Sequence, residues 1–237
     1  MDNLILAVVG GLALAAFSAL SVLLRAMPDR HFATLKSVGG GAGLAYVFLY
    51  LLFELTTEGA PKIHALLPLG AAPLETLFIL LLGALSVAYM VLMEQERTPG
   101  TRDDHRNYSI LFLIYNVLAG AGVAEEAMWG IVNLAFFVTA IGIHVLFNEL
   151  FLLHHYPAEH KVPWRVALAI APLLGCGFAI GAEIPSGADY IALAFVAGAT
   201  ITTIFQRELS EFRSFRPTAF IAGVLVYGGL IFATWRF

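Results

Sequence analysis

The chain has 237 residues, of which 59% are apolar and only 13% charged, with a mean hydropathy of +0.83. Those values exclude an ordinary soluble domain and describe a polytopic membrane protein. The formal charge of -4 says little about partners, because the charges sit between the apolar runs, and scattered basic residues offer no nucleic-acid surface.

Apolar runs of about 17–25 residues read as membrane spans. Eight are expected in one domain covering 1–237, near 4–24, 35–55, 74–92, 109–124, 129–153, 164–182, 190–205 and 218–235. None alternates like a barrel strand, and irregular chain cannot cross lipid, so the fold class is all-α integral membrane protein. Met1-Asp2-Asn3 carries no positive charge, so the first run reads as a retained helix and not a cleaved signal. The single cysteine, Cys176, lies in an apolar run and excludes a disulfide framework.

Basic residues alternate from loop to loop. Arg25, Arg30 and Lys36, then Arg97, Arg102 and Arg106, then Lys161 and Arg165, then Arg207, Arg213 and Arg216 put eleven of the 13 on one side. Lys62 and Arg236 alone fall on the other. The positive-inside rule then places both termini outside the cytoplasm, in a plasma (inner) membrane.

The fifth span carries Gly142-Ile-His144-Val-Leu-Phe-Asn148-Glu149. A helix puts His144 and Asn148 on one face, one turn apart, with Glu149 about 100° further round. Ionisable groups in hydrocarbon cost several kcal/mol unless they line a cavity or find partners, so this face reads either as a solute path or as an interhelical polar cluster with Asn116 and Tyr115. The fourth span is short, holds Tyr115, Asn116, Gly120 and Gly122, and is joined to the fifth by Glu125-Glu126-Ala127-Met128. Short glycine-interrupted spans point to transporter binding regions. At the outer mouth of this pair, Glu125 and Glu126 either attract cations or are solvated hairpin charges. His154, His155 and His160, with Glu159, form a cluster on the basic side that reads as a metal collector or a wet loop.

Two stretches echo one another: Tyr50-Leu-Leu-Phe53-Glu54-Leu55 closes the second span and Phe205-Gln206-Arg207-Glu208-Leu209 the seventh. They end on opposite sides, as two inverted three-helix units flanking a central pair would. No His-Glu-x-x-His, Gly-x-Ser-x-Gly or phosphate-binding glycine loop occurs, so an enzyme is not expected and no cofactor is implied.

With these residues in view, the chain resembles the ZIP family of divalent-metal transporters. The resemblance implies eight helices in a 3+2+3 arrangement with inverted outer repeats and a metal site between helices four and five. Tyr115-Asn116-Val117-Leu118-Ala119-Gly120 is similar to the family's His-Asn-x-x-Asp/Glu-Gly in its Asn and Gly. His144-Val145-Leu146-Phe147-Asn148-Glu149 is similar to His-Glu-x-Pro-His-Glu in its first and last residues. The implied ligands are His144, Glu149, Asn148 and Asn116, with Tyr115, Gly120, Glu125 and Glu126 along the path. The departures leave a weaker, oxygen-rich site than zinc usually takes, or none.

The expected function is transport of a divalent metal or other small cation as substrate. The alternative is a non-transporting ZIP-like protein acting in binding, sensing or as a scaffold; Tyr115 and Phe147, bulky where a ligand and a kink are expected, favour it. Expected partners are the lipid bilayer, the cation and a second copy of the chain as a homodimer.

Overall fold

An apolar chain without water must close its backbone N–H and C=O groups within helices, and the described residues form helices and their connections, with no strand. The protein is seen here as a computed structural model describing residues 2–97, 102–182, 187–209 and 215–234, with side chains for all of these except 2, 29, 86, 90–97, 102 and 207–209. Pro99-Gly100, Arg213, Trp235 and Arg236 lie outside the described residues, as do the side chains of Arg97, Arg102, Arg207 and Glu208.

In chain order the long helices are α1 (Asp2–Leu24), α2 (Arg30–Leu66), α3 (Pro73–Arg97) and α4 (Arg102–Trp129). They continue with α5 (Ile131–His155), α6 (Val162–Gly181), α7 (Ala188–Thr203) and α8 (Pro217–Thr234). Seven helices are long and apolar enough to cross a membrane, α3 being apolar over the shorter stretch Pro73–Tyr89. That is the make-up of an integral membrane protein.

Two boundaries differ from expectation for physical reasons. Helix α2 runs 37 residues, well past the expected end at 55. It stays helical through two wide π turns, Val47–Leu51 and Leu55–Gly59. The second turn precedes Pro61, whose ring would crowd the carbonyl four residues back in a regular helix; widening makes room. Helix α4 is 28 residues long and absorbs the expected Glu125–Met128 hairpin into its last turns. Only Gly130, at φ 108°, separates it from α5, a backbone setting that suits glycine.

Packing divides the helices into two groups of four. In one group α1 and α4 touch each other and both touch α5 and α6; in the other α2 and α7 touch each other and α3, while α8 packs on α2. The groups meet where α2 crosses α5 and α4 crosses α7, with α3 also touching α4. Small residues set the tightest crossings, as expected where lipid removes the hydrophobic drive between helices. A Cβ on Gly120 would overlap the Pro172 carbonyl, and one on Gly175 would overlap that of Val117, so α4 and α6 touch backbone to backbone. Gly41 and Gly223 do the same for α2 and α8 against the carbonyls of Phe220 and Val38.

Candidate functional site

Polar groups gather in three places along the seam between the two groups. The first is built by the last turns of α4. Glu126 is fully buried and accepts hydrogen bonds from the hydroxyls of Tyr46 at 3.0 Å and Tyr50 at 3.3 Å. Those tyrosines lie one turn apart on α2 with their rings stacked at 5.3 Å. Glu125 accepts from Tyr190 of α7 at 3.2 Å and from the Trp129 indole at 3.1 Å. Lys62 extends the chain, donating to the Tyr190 hydroxyl at 3.3 Å from above the ring. Both carboxylate oxygens of Glu54 are buried with no hydrogen bond to a described residue. A solvated hairpin is therefore not what the chain builds here. Neighbouring phenols and an indole make it possible to keep two carboxylates inside the bundle.

The second place is mid-bundle. Tyr115 of α4 shares a hydrogen bond with Thr200 of α7 at 2.9 Å, and one turn further on Thr203 meets His144 Nε2 at 2.8 Å. Thr203 also lies 2.8 Å from the Ala199 carbonyl. A hydroxyl has one proton, and when it goes to that carbonyl the imidazole must donate its Nε2–H, leaving Nδ1 as the acceptor. The rings of Tyr115 and His144 sit 5.4 Å apart, so the two hydrogen-bonded pairs are contiguous. His144 and Asn148 open together onto a cleft whose other walls include Lys36 and His154. Helical spacing predicts that shared face.

Glu149 turns the other way. One oxygen accepts from Ser18 of α1 at 3.0 Å and the other pairs with His160 Nε2 at 2.8 Å. His160 continues to His105 Nε2 at 3.2 Å, which in turn reaches Ser109 at 3.2 Å. All five residues are buried. This third place ties α1, α4, α5 and the segment before α6 together, so the expected wet histidine loop is, at His160, part of the interior.

Asn116 has a structural partner. Pro172 has no N–H, so the carbonyl of Leu168 one turn earlier loses its helical hydrogen bond. The Asn116 amide donates to that carbonyl at 3.0 Å, while its own Oδ1 is buried with no described partner. Gly120, one turn on, lets α4 approach Pro172. Proline within the apolar run of α6 was a readable signal for this contact.

Of the four implied ligands, then, His144 and Asn148 share the cleft, whereas Glu149 faces α1 and His160, and Asn116 faces α6. Among the described residues no group of three or more His, Cys, Asp or Glu side chains stands close enough to hold a metal ion. The residues that sequence reading missed are Tyr46, Tyr190, Thr200, Thr203 and Ser18, hydroxyl partners unremarkable until the helices meet. Compared with known proteins, the chain matches no family model and no curated protein.

Proposed function

We propose that the chain is a ZIP-like membrane transporter of a divalent metal or other small cation, with eight transmembrane helices in a 3+2+3 order and both termini outside the cytoplasm. The single observation that carries the reading is a pair of polar clusters on the seam between the two groups. The carboxylates of Glu54, Glu125 and Glu126 form one, and about three turns away along α4, past the apolar Ala119 and Val123, Tyr115 and Thr200 adjoin Thr203, His144 and Asn148. Carboxylates at one end draw a cation in, and the hydroxyl, imidazole and amide groups beyond offer it neutral donors.

The packing supports the inverted-repeat part of the proposal. Exchanging α1 with α6, α2 with α7, α3 with α8 and α4 with α5 converts the contact of α1 with α5 into that of α6 with α4. It likewise converts α2 with α8 into α7 with α3, and α2 with α5 into α7 with α4. The π turns Val47–Leu51 in α2 and Ile204–Leu209 after α7 fall at the two echoed stretches.

Uptake of several divalent and monovalent cations into proteoliposomes tests this, with Glu126→Gln and His144→Ala beside the parent. Transport predicts cation flux in the parent that both substitutions reduce. Absence of flux for every cation, or flux indifferent to both changes, sinks it. A specific observation favours the non-transporting alternative: both Glu149 oxygens are engaged by protein groups, and the described residues assemble no metal-ligand group. Cation binding at equilibrium without flux would select that alternative.

A further inference from the structure

Tyr46, Tyr50, Glu54 and Lys62 all lie on α2. From Tyr46 to Lys62 a regular helix would turn by about 160° beyond whole turns, carrying the lysine to the opposite face. Each π turn takes up one residue more than an α turn, and two of them cut that drift to about 40°. The turn Val47–Leu51 falls between Tyr46 and Glu54, and the turn Leu55–Gly59 between Glu54 and Lys62. The π turns therefore keep two phenols, a carboxylate and an amine in one stripe, with Lys62 about 10 Å beyond Glu54 along the axis.

Lys62 is held at the far end of this stripe. Its carbonyl packs against Gly187, at φ 106° before α7, so closely that a Cβ there would come within 2.6 Å. The amine lies 4.6 Å from the centroid of the Tyr190 ring and donates to its hydroxyl, which donates in turn to Glu125. One phenol thus stands between a positive charge and a carboxylate. Glu54 offers two buried oxygens with no hydrogen bond to a described residue, and the charges acting on it come from Glu125, Asp189 and Lys62. A cation seated on these carboxylates is drawn in by them and repelled by the amine.

We propose that Lys62 is a tethered competitor of the cation, its amine lowering the affinity of the Glu54, Glu125 and Glu126 carboxylates for a free ion. An ion path needs sites that bind well enough to admit an ion and weakly enough to release it. A fixed positive charge beside three carboxylates supplies the second half of that requirement. The proposal deepens the reading of these carboxylates as the entry of a cation path; it rests on the cation-binding part of that reading and not on flux.

The probe is terbium(III), a hard cation that seeks carboxylates and whose luminescence is sensitised by a nearby indole; the Trp129 indole donates to Glu125 itself. Titrated into the purified full chain in detergent, it should bind Lys62→Met about tenfold more tightly than the parent, an ordinary coupling between adjacent sites. Lys62→Gln, which keeps a donor for Tyr190 and removes the charge, should tighten binding as well, whereas Lys62→Arg should match the parent. Lys161→Met, which removes an exposed basic residue just before α6, should leave the affinity unchanged. Glu125→Gln should lower the signal in every background. The proposal is overturned if Lys62→Met and Lys62→Gln bind no tighter than the parent, if Lys161→Met tightens binding equally, or if Glu125→Gln changes nothing. Flux of the same proteins in proteoliposomes separates the two readings. Flux with an affinity indifferent to Lys62 overturns the competitor role alone, and a Lys62-sensitive affinity without flux overturns transport alone.

Discussion

Asn116 reaches the Leu168 carbonyl at 3.0 Å because Pro172 has withdrawn that carbonyl's helical donor. The amide thus repairs a defect in a neighbouring helix. Asn116→Ala should destabilise the protein by about 1–2 kcal/mol, the range of buried and interhelical hydrogen bonds. In a Pro172→Ala background, where residue 172 can donate to Leu168 itself, the same substitution should cost distinctly less. Thermal melting of the four proteins in detergent checks this. Equal cost in both backgrounds would show that the amide acts elsewhere.

Glu149 and His160 form a buried pair, 3% exposed each as residues. Removing one partner leaves the other short of one buried hydrogen bond, a loss of about 1–3 kcal/mol. Glu149→Ala and His160→Ala should each lower the melting temperature steeply. The double variant should lose much less than the two added together, since they remove one shared interaction. Additive losses would mean the contact contributes little.

The α4–α6 crossing makes a sharper steric prediction. Gly120→Ala or Gly175→Ala drives a methyl group into backbone carbonyl, which cannot retreat as a side chain can. Each should cost about 1–3 kcal/mol or more. Gly177, where a Cβ meets nothing within 4 Å, should tolerate alanine or gain slightly from it. Yield of folded protein and melting temperature compare the three directly.

Thr203 holds His144 through one hydrogen bond. Thr203→Val keeps the shape and removes that bond, which is worth about 1 kcal/mol. If His144 lies on the cation path, flux in proteoliposomes should fall roughly five- to tenfold while the melting temperature moves little. Thr203→Ser, which restores the hydroxyl, should recover the flux.

How much of this was legible depends on what each residue's neighbours are. Seven apolar helices follow from hydropathy alone, because lipid imposes helix on any apolar run long enough to cross it. His144 and Asn148 share the cleft as their four-residue spacing requires. Glu149 did not follow: one further residue turns the side chain by about 100°, and its partner His160 arrives from a segment eleven residues away. Glu125 and Glu126 read either as cation-attracting or as solvated charges, and their burial was not legible because the groups that satisfy them, Tyr46, Tyr50 and Tyr190, come from helices distant in sequence. Asn116 matched a motif, yet the geometry of α6 accounts for its contact without a ligand. Sequence shows which groups need partners; only packing decides who supplies them.

Gly130 is the whole connection between α4 and α5. A single residue leaves no slack, so axial travel of one helix is carried straight into the other, and the pair acts as one lever with a fixed fulcrum. Tags, cysteine pairs or protease sites placed at this junction will report on the bundle as a unit, whereas inserting even a short flexible segment there should uncouple its two arms.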